Sequence, residues 1–345
     1  MKDEVQQAGD NATQINAATV VNNQINIQIS DGSGLTDFLN KASLRTTGGN
    51  EIADLVEIAR QAVREEFNSL LGQLVDATKD RPEYHAFATL RALAAVEEGQ
   101  TAFAQADCDP AVGEDLGKLI IEIVNAEPRS LRERVLKEAM RCIPRLSAPQ
   151  IDALAVIHIV AQVIFAEPPG SPEVIVKKIC EEVAPFLPSS CRFVDYQYMA
   201  ACGLGMVSNL GFYSNAFETI RRSHTYWLQT GVPRDVILEV GEHHLKQLDD
   251  GSFVVSENAV AIQTDNSIPE ITSKLSNALE STLPSVDQLT EMFRAESTEI
   301  TDGLIAMATF NAYDFALTAI GAAIGNIRWH SVSDKAMDFD FLVNY

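Results

Sequence analysis

Between Gly9 and Ser30 the chain reads GDNATQINAATVVNNQINIQIS, and its side chains alternate in kind. Thr13, Ile15, Ala17, Thr19, Val21, Ile25, Ile27 and Ile29 hold the odd positions, broken only by Asn23. Gln14, Asn16, Asn22, Gln24, Asn26 and Gln28 hold the even ones, with Ala18 and Val20 as exceptions. A period of two gives a strand one aliphatic face and one amide face. A lone strand or hairpin is at best marginally stable in water. This leader therefore needs strand partners, and other copies of the same chain are an obvious source. Ile15, Val21, Ile25, Ile27 and Ile29 are the expected oligomerisation residues, each isoleucine contributing about 1.5–3 kcal/mol when fully buried. Two other readings stand beside self-association. Asn/Gln-rich alternation also marks low-complexity, aggregation-prone sequence. A lesser alternative to self-association is that the leader adds an edge strand to its own 253–262 hairpin.

The remainder reads mostly as helix. Asn50 looks like an N-cap, and Ile52, Leu55, Ala59, Val63, Phe67, Leu70 and Leu74 follow at helical spacing to about residue 78. Pro82 opens a helix over 82–98 that ends near Gly99. Further helices are expected at 111–126, with Leu116, Leu119, Ile120 and Ile123 inward, and at 128–142. Ser147 caps a helix over 148–165 whose run from Ile151 to Phe165 is apolar nearly all round. Such a helix must be buried centrally, and with Asp152 inside it is too short to span a bilayer. A helix from Ser171 to about 184 follows, then a boundary at Pro185–Ser190. Helices are expected at about 191–202, 212–229, 233–248, 268–281 and 285–296. Phe253 and Val255, with Val260 and Ile262, suggest a β-hairpin around Ser256-Glu257-Asn258. The expected class is mainly α: a multi-helix array with an N-terminal β leader and one internal β-hairpin near 252–264. Three parts are expected: the leader over 1–34, a helical domain over 35–184, and a second over 185–345.

The 345 residues carry a formal net charge of −22. So acidic a chain repels phosphate, which argues against nucleic acid as a partner. Its 46% apolar content excludes wholesale disorder. Cys108, Cys142, Cys180, Cys191 and Cys202 form no CxxC pair. An odd count without an export core in MKDEVQQAGD points to a reducing cytoplasm, with the thiols as small core residues.

No motif prescribes catalysis. Glu242-His243-His244 is the one dense metal-like cluster, and Glu239 lies four residues before His243. No third ligand sits at a diagnostic spacing, so a solvated polar face is expected and no metal or cofactor is assigned. His158, inside the apolar helix, reads as a buried, hydrogen-bonded histidine, with a proton switch as the alternative. Arg221, Arg222, His224 and Trp227 form a basic-aromatic patch. On so acidic a chain Arg221, Arg222 and Trp227 suit another subunit's carboxylates, and equally an internal salt-bridge surface. Gly203-Leu204-Gly205 reads as a helix C-cap with a tight connection, not a phosphate loop. Gly303 to Gly325 is apolar except for Asp314. As one helix it would reach about 34 Å, enough for a bilayer core, and Gly321 and Gly325 make a small-xxx-small pair. Asp314 near its middle argues instead for a packed core element broken at that point.

The leader's Gly9, Asp10, Asn11, Gln14, Ile15 and Asn16 resemble a poorly characterised group of bacterial cytosolic proteins with a GDNxxQIN leader and a helical body. Glu138-Ala139, Pro144-Arg145-Leu146-Ser147, Gln150 to Leu154 and Leu317 to Gly325 resemble the same group. The resemblance carries over no catalytic residue. It implies a bacterial, cytoplasmic and anti-phage setting. Three functions follow as expectations. The first is a non-enzymatic homo-oligomeric scaffold or sensor that recognises a second protein. The second is a membrane-acting effector using 303–325. The third is an enzyme with an unrecognised site.

Overall fold

A computed structural model of the chain describes residues 49–76, 87–163, 171–187, 191–207, 215–230, 245–247, 253–255, 280, 282–310 and 312–332. The leader lies outside them, as do the Glu239–His244 cluster and Val260–Ile262.

The described chain is mainly helical. Helix α1 (Gly49–Asp76) buries Ala62, Phe67 and Leu71. Helix α2 (Leu90–Gln105) starts where the Thr89 hydroxyl accepts the Ala92 N–H at 3.2 Å. It runs through Gly99, where a stop was expected. A Cβ there would meet Ile120 Cδ1 at 2.6 Å and Phe67 Cζ at 3.1 Å, so this glycine lets helices approach rather than ending one. Helix α3 (Pro110–Asn125) has Pro110 in its first turn and the Asp109 carboxylate accepting the Ala111 N–H at 2.9 Å. Its last carbonyls are held by Arg91, which donates to Ala126 O at 2.7 Å and to Val124 O. In α4 (Leu131–Cys142) Ser130 accepts the Glu133 N–H at 3.1 Å.

Helix α5 (Ala148–Gln162) is the centre. Ser147 and Gln150 close a capping box, with the Ser147 N–H donating to Gln150 Oε1 at 3.0 Å. Every residue from Ala153 to Val160 is buried, as an all-round apolar helix requires. Helix α6 (Pro172–Val183) and a short 3-10 turn (Ala184–Phe186) lie against it. After α7 (Phe193–Ala201) the chain turns at Gly203, in the left-handed region with φ +78°, as the C-cap reading expects. It then enters strand β1 (Gly205–Val207). Helix α8 (Ala216–Ser223) packs on α5, and α9 (Val286–Glu296) packs on α6 and α8.

The internal hairpin pairs β2 (Leu245–Gln247) with β3 (Phe253–Val255), in the register Leu245 to Val255. The expected strand at 253–255 is there, but its partner precedes it. Residues 245–247, expected within a helix over 233–248, are instead a strand, and Asp249-Asp250-Gly251 lies outside the described residues.

The apolar stretch 303–325 is divided. Helix α10 (Thr298–Thr309) ends before a 3-10 turn (Ala312–Asp314), strand β4 (Phe315–Leu317) follows, and α11 (Ala319–Val332) completes the described chain. The break falls at Asp314, which is buried. Strand β4 pairs antiparallel with β1, Gly205 opposite Leu317. Among the described residues no helix is long and apolar enough to cross a membrane.

Candidate functional site

The main concentration of buried polar chemistry lies along α11. This helix lies against α5 at very short range because it has glycine where the backbones meet. A Cβ on Gly325 would fall 2.6 Å from Leu154 O and 2.9 Å from His158 Cβ. One on Gly321 would fall 1.9 Å from Leu204 O. The Gly321-xxx-Gly325 spacing thus serves helix packing inside a folded body. Thr318 fixes the entry: its N–H donates to Leu204 O at 3.0 Å and its hydroxyl to Gly203 O at 2.7 Å.

The other side chains of α11 meet charges on three different helices. Arg328 Nε donates to Asp152 of α5 at 2.8 Å, and its Nη1 lies 3.7 Å from Asp115 of α3. Ser331 donates to the same Asp115 carboxylate. Trp329 Nε1 donates to Glu182 of α6 at 2.7 Å. Lys118 of α3 reaches His330 O at 3.2 Å and Glu114 at 2.9 Å.

Burial sets the electrostatics. Asp115 is almost fully enclosed, which raises its carboxyl to about 6, against the opposing pull of Ser331 and Arg328. Burial pushes the His158 imidazole down to about 4, although Gln162, whose Oε1 lies 3.0 Å from Nδ1, opposes it. His158 is thus buried and neutral near pH 7, as expected of a core histidine. Burial also raises Cys108 to about 11 and Cys180 to about 12, which leaves them thiols rather than nucleophiles. All five cysteines are free and four are buried. Among the described residues no group of three or more His, Cys, Asp or Glu could hold a metal. Chemically the seam is a latch. Its carboxylates and its guanidinium neutralise each other across helices and hold α11 in place.

The basic-aromatic patch is dispersed. Arg221 donates to Pro284 O at 2.9 Å and forms an ion pair with Glu280. Trp227 is buried, its ring 5.3 Å from that of Tyr226. Arg222 is the exposed member of the three. His224 is fully buried on the far side of α5, Nε2 3.1 Å from Val160 O, and burial lowers it to about 4. Ile15, Val21, Ile25, Ile27 and Ile29 lie outside the described residues.

Sequence reasoning missed Asp115, Glu182, Arg328, Trp329 and Ser331 as a set. A signal existed at one of them: Asp115 sits within the Val112, Leu116, Leu119 stripe that faces the core. Its partners are more than two hundred residues away, so no local spacing connects them.

One family model matches residues 48–343, under a description that reads only “:-like”. The chain belongs to that family. The match takes in every described element and stops short of the leader. No curated protein and no solved structure matches the chain.

Proposed function

We propose that the chain is a non-enzymatic, homo-oligomeric scaffold or sensor that works through protein surfaces. The observation that carries this reading is the open apolar face of α7 and β1. Phe193, Val194, Tyr198 and Met206 all stand exposed there. Apolar side chains gathered on one surface are the mark of a protein contact, whereas scattered ones are ordinary. The α11 latch adds support, because its charged groups are engaged with one another rather than turned to a substrate. Self-association falls to the leader, with its isoleucines stacked and its backbone paired between copies. The resemblance adds a bacterial anti-phage setting, which phage challenge of cells with and without the gene would test.

Light scattering decides the assembly. Removing residues 1–30 is expected to leave a folded species with fewer subunits. An unchanged subunit number would end the leader's role.

A further inference from the structure

Helix α7 is built to be covered. Of its nine residues only Tyr196 and Met199 are buried. Val194 is 56% exposed, Tyr198 43% and the neighbouring Met206 68%. Val194, Tyr198 and Ala201 recur at the spacing of one helical face. Arg145 borders that face, since the Tyr198 hydroxyl donates to Arg145 O at 3.1 Å. Arg192 stands at the helix start. Both arginines are exposed, and neither forms an ion pair among the described residues. The one acid of α7, Asp195, is already taken by Gln150 Nε2 at 3.0 Å and the Arg192 N–H at 2.8 Å. On a chain of net charge −22, an apolar stripe framed by two unneutralised arginines is out of character.

We propose that this face binds the chain's own C-terminal segment, Asp338–Tyr345. The occupant is argued from complementarity. The segment reads DFDFLVNY, so two aspartates match two arginines, and Phe339, Phe341 and Leu342 match the apolar stripe. Its reach is adequate. Helix α11 begins against Leu204, close to α7, and is about 20 Å long. The six Cα–Cα steps from Val332 to Asp338 span about 20 Å when extended, which matches the length of α11, so the segment can return to α7 or engage a second copy. The family match extends to residue 343 and so includes most of this segment. The proposal rests on reading α7 as a contact face.

Hydrogen exchange on the full chain tests both. With Asp338→Lys and Asp340→Lys, the amides of Phe193–Ala201 are expected to exchange about fivefold faster, the effect of two exposed ion pairs. Adding Arg145→Glu and Arg192→Glu is expected to restore slow exchange. Exchange indifferent to the tail charges overturns the proposal. If it nevertheless slows as protein concentration rises, a second copy's body occupies the face and the contact-face reading survives. If it responds to neither, both readings fall.

Discussion

Glycine does two different jobs at two helix junctions. Between α1 and α3, a Cβ on Gly117 would meet Leu74 Cδ1 at 2.5 Å, the far end of a flexible side chain. Gly99 meets Ile120 Cδ1 in the same manner. Between α5 and α11, the atoms in the way are the backbone carbonyls of Leu154 and Leu204. A leucine tip can turn aside. A carbonyl held within a helix, or next to a strand ladder, cannot move without its neighbours. The first junction is therefore adjustable and the second is set by the main chain.

The largest expected effect follows from that contrast. Gly321→Ala places a methyl group 1.9 Å from Leu204 O, so it should cost about 3 kcal/mol or more, and Gly325→Ala somewhat less. Thermal unfolding measures both, and losses under about 1 kcal/mol would dissolve the contrast.

Acid sharpens it next, because His158 lies at the fixed junction and Asp115 bonds to the same helix α11. The Asp115 carboxyl is held at about 6 against an ordinary 3.8, so the folded state keeps a proton that the unfolded chain releases between those values. Its contribution to stability is fullest below pH 4 and falls, by about 3 kcal/mol, as pH rises to 6. His158 and His224 run the other way. Both are held near 4 against 6.5, so stability falls by about 3 kcal/mol each as pH drops through that window. Two histidines outweigh one aspartate, and acid is expected to destabilise the chain. Asp115→Asn removes the opposing contribution, so its melting temperature should fall more steeply from pH 7 to 4 than that of the parent. Equal slopes would mean that Arg328 and Ser331 keep Asp115 ionised throughout.

The smallest effect belongs to the adjustable junction. Gly117→Ala is expected to shift stability by under about 1 kcal/mol, since Leu74 can change rotamer and alanine favours the helix. A collapse comparable to that of Gly321→Ala would show that this corner is equally rigid.

Much of the helical framework was legible because its signals are local. The Ser147 cap, the unbroken apolar run after it and the interruption at Asp314 each lie within a few residues of what they determine. Gly99 was misread for a physical reason: one residue type both ends helices and lets them touch, and only the neighbour across the gap says which. The partner of Phe253–Val255 was missed because Asp249-Asp250-Gly251 separates elements equally well as a loop or as a helix end. Strands β1 and β4 have three residues each, too few for any period to register. The Asp115–Arg328 pair was beyond reach, because it joins positions that only the completed packing brings together.

The β1–β4 ladder closes an excursion of about a hundred residues at its base. A chain tied at both ends loses little more freedom when the tied portion grows, about 0.6 kcal/mol for each doubling. Insertions in the excursion's connections, outside the packed helices α8, α9 and α10, are therefore thermodynamically mild so long as the clasp holds. Variation in length can accumulate in that excursion while the central helix and its glycine-faced neighbour stay as they are.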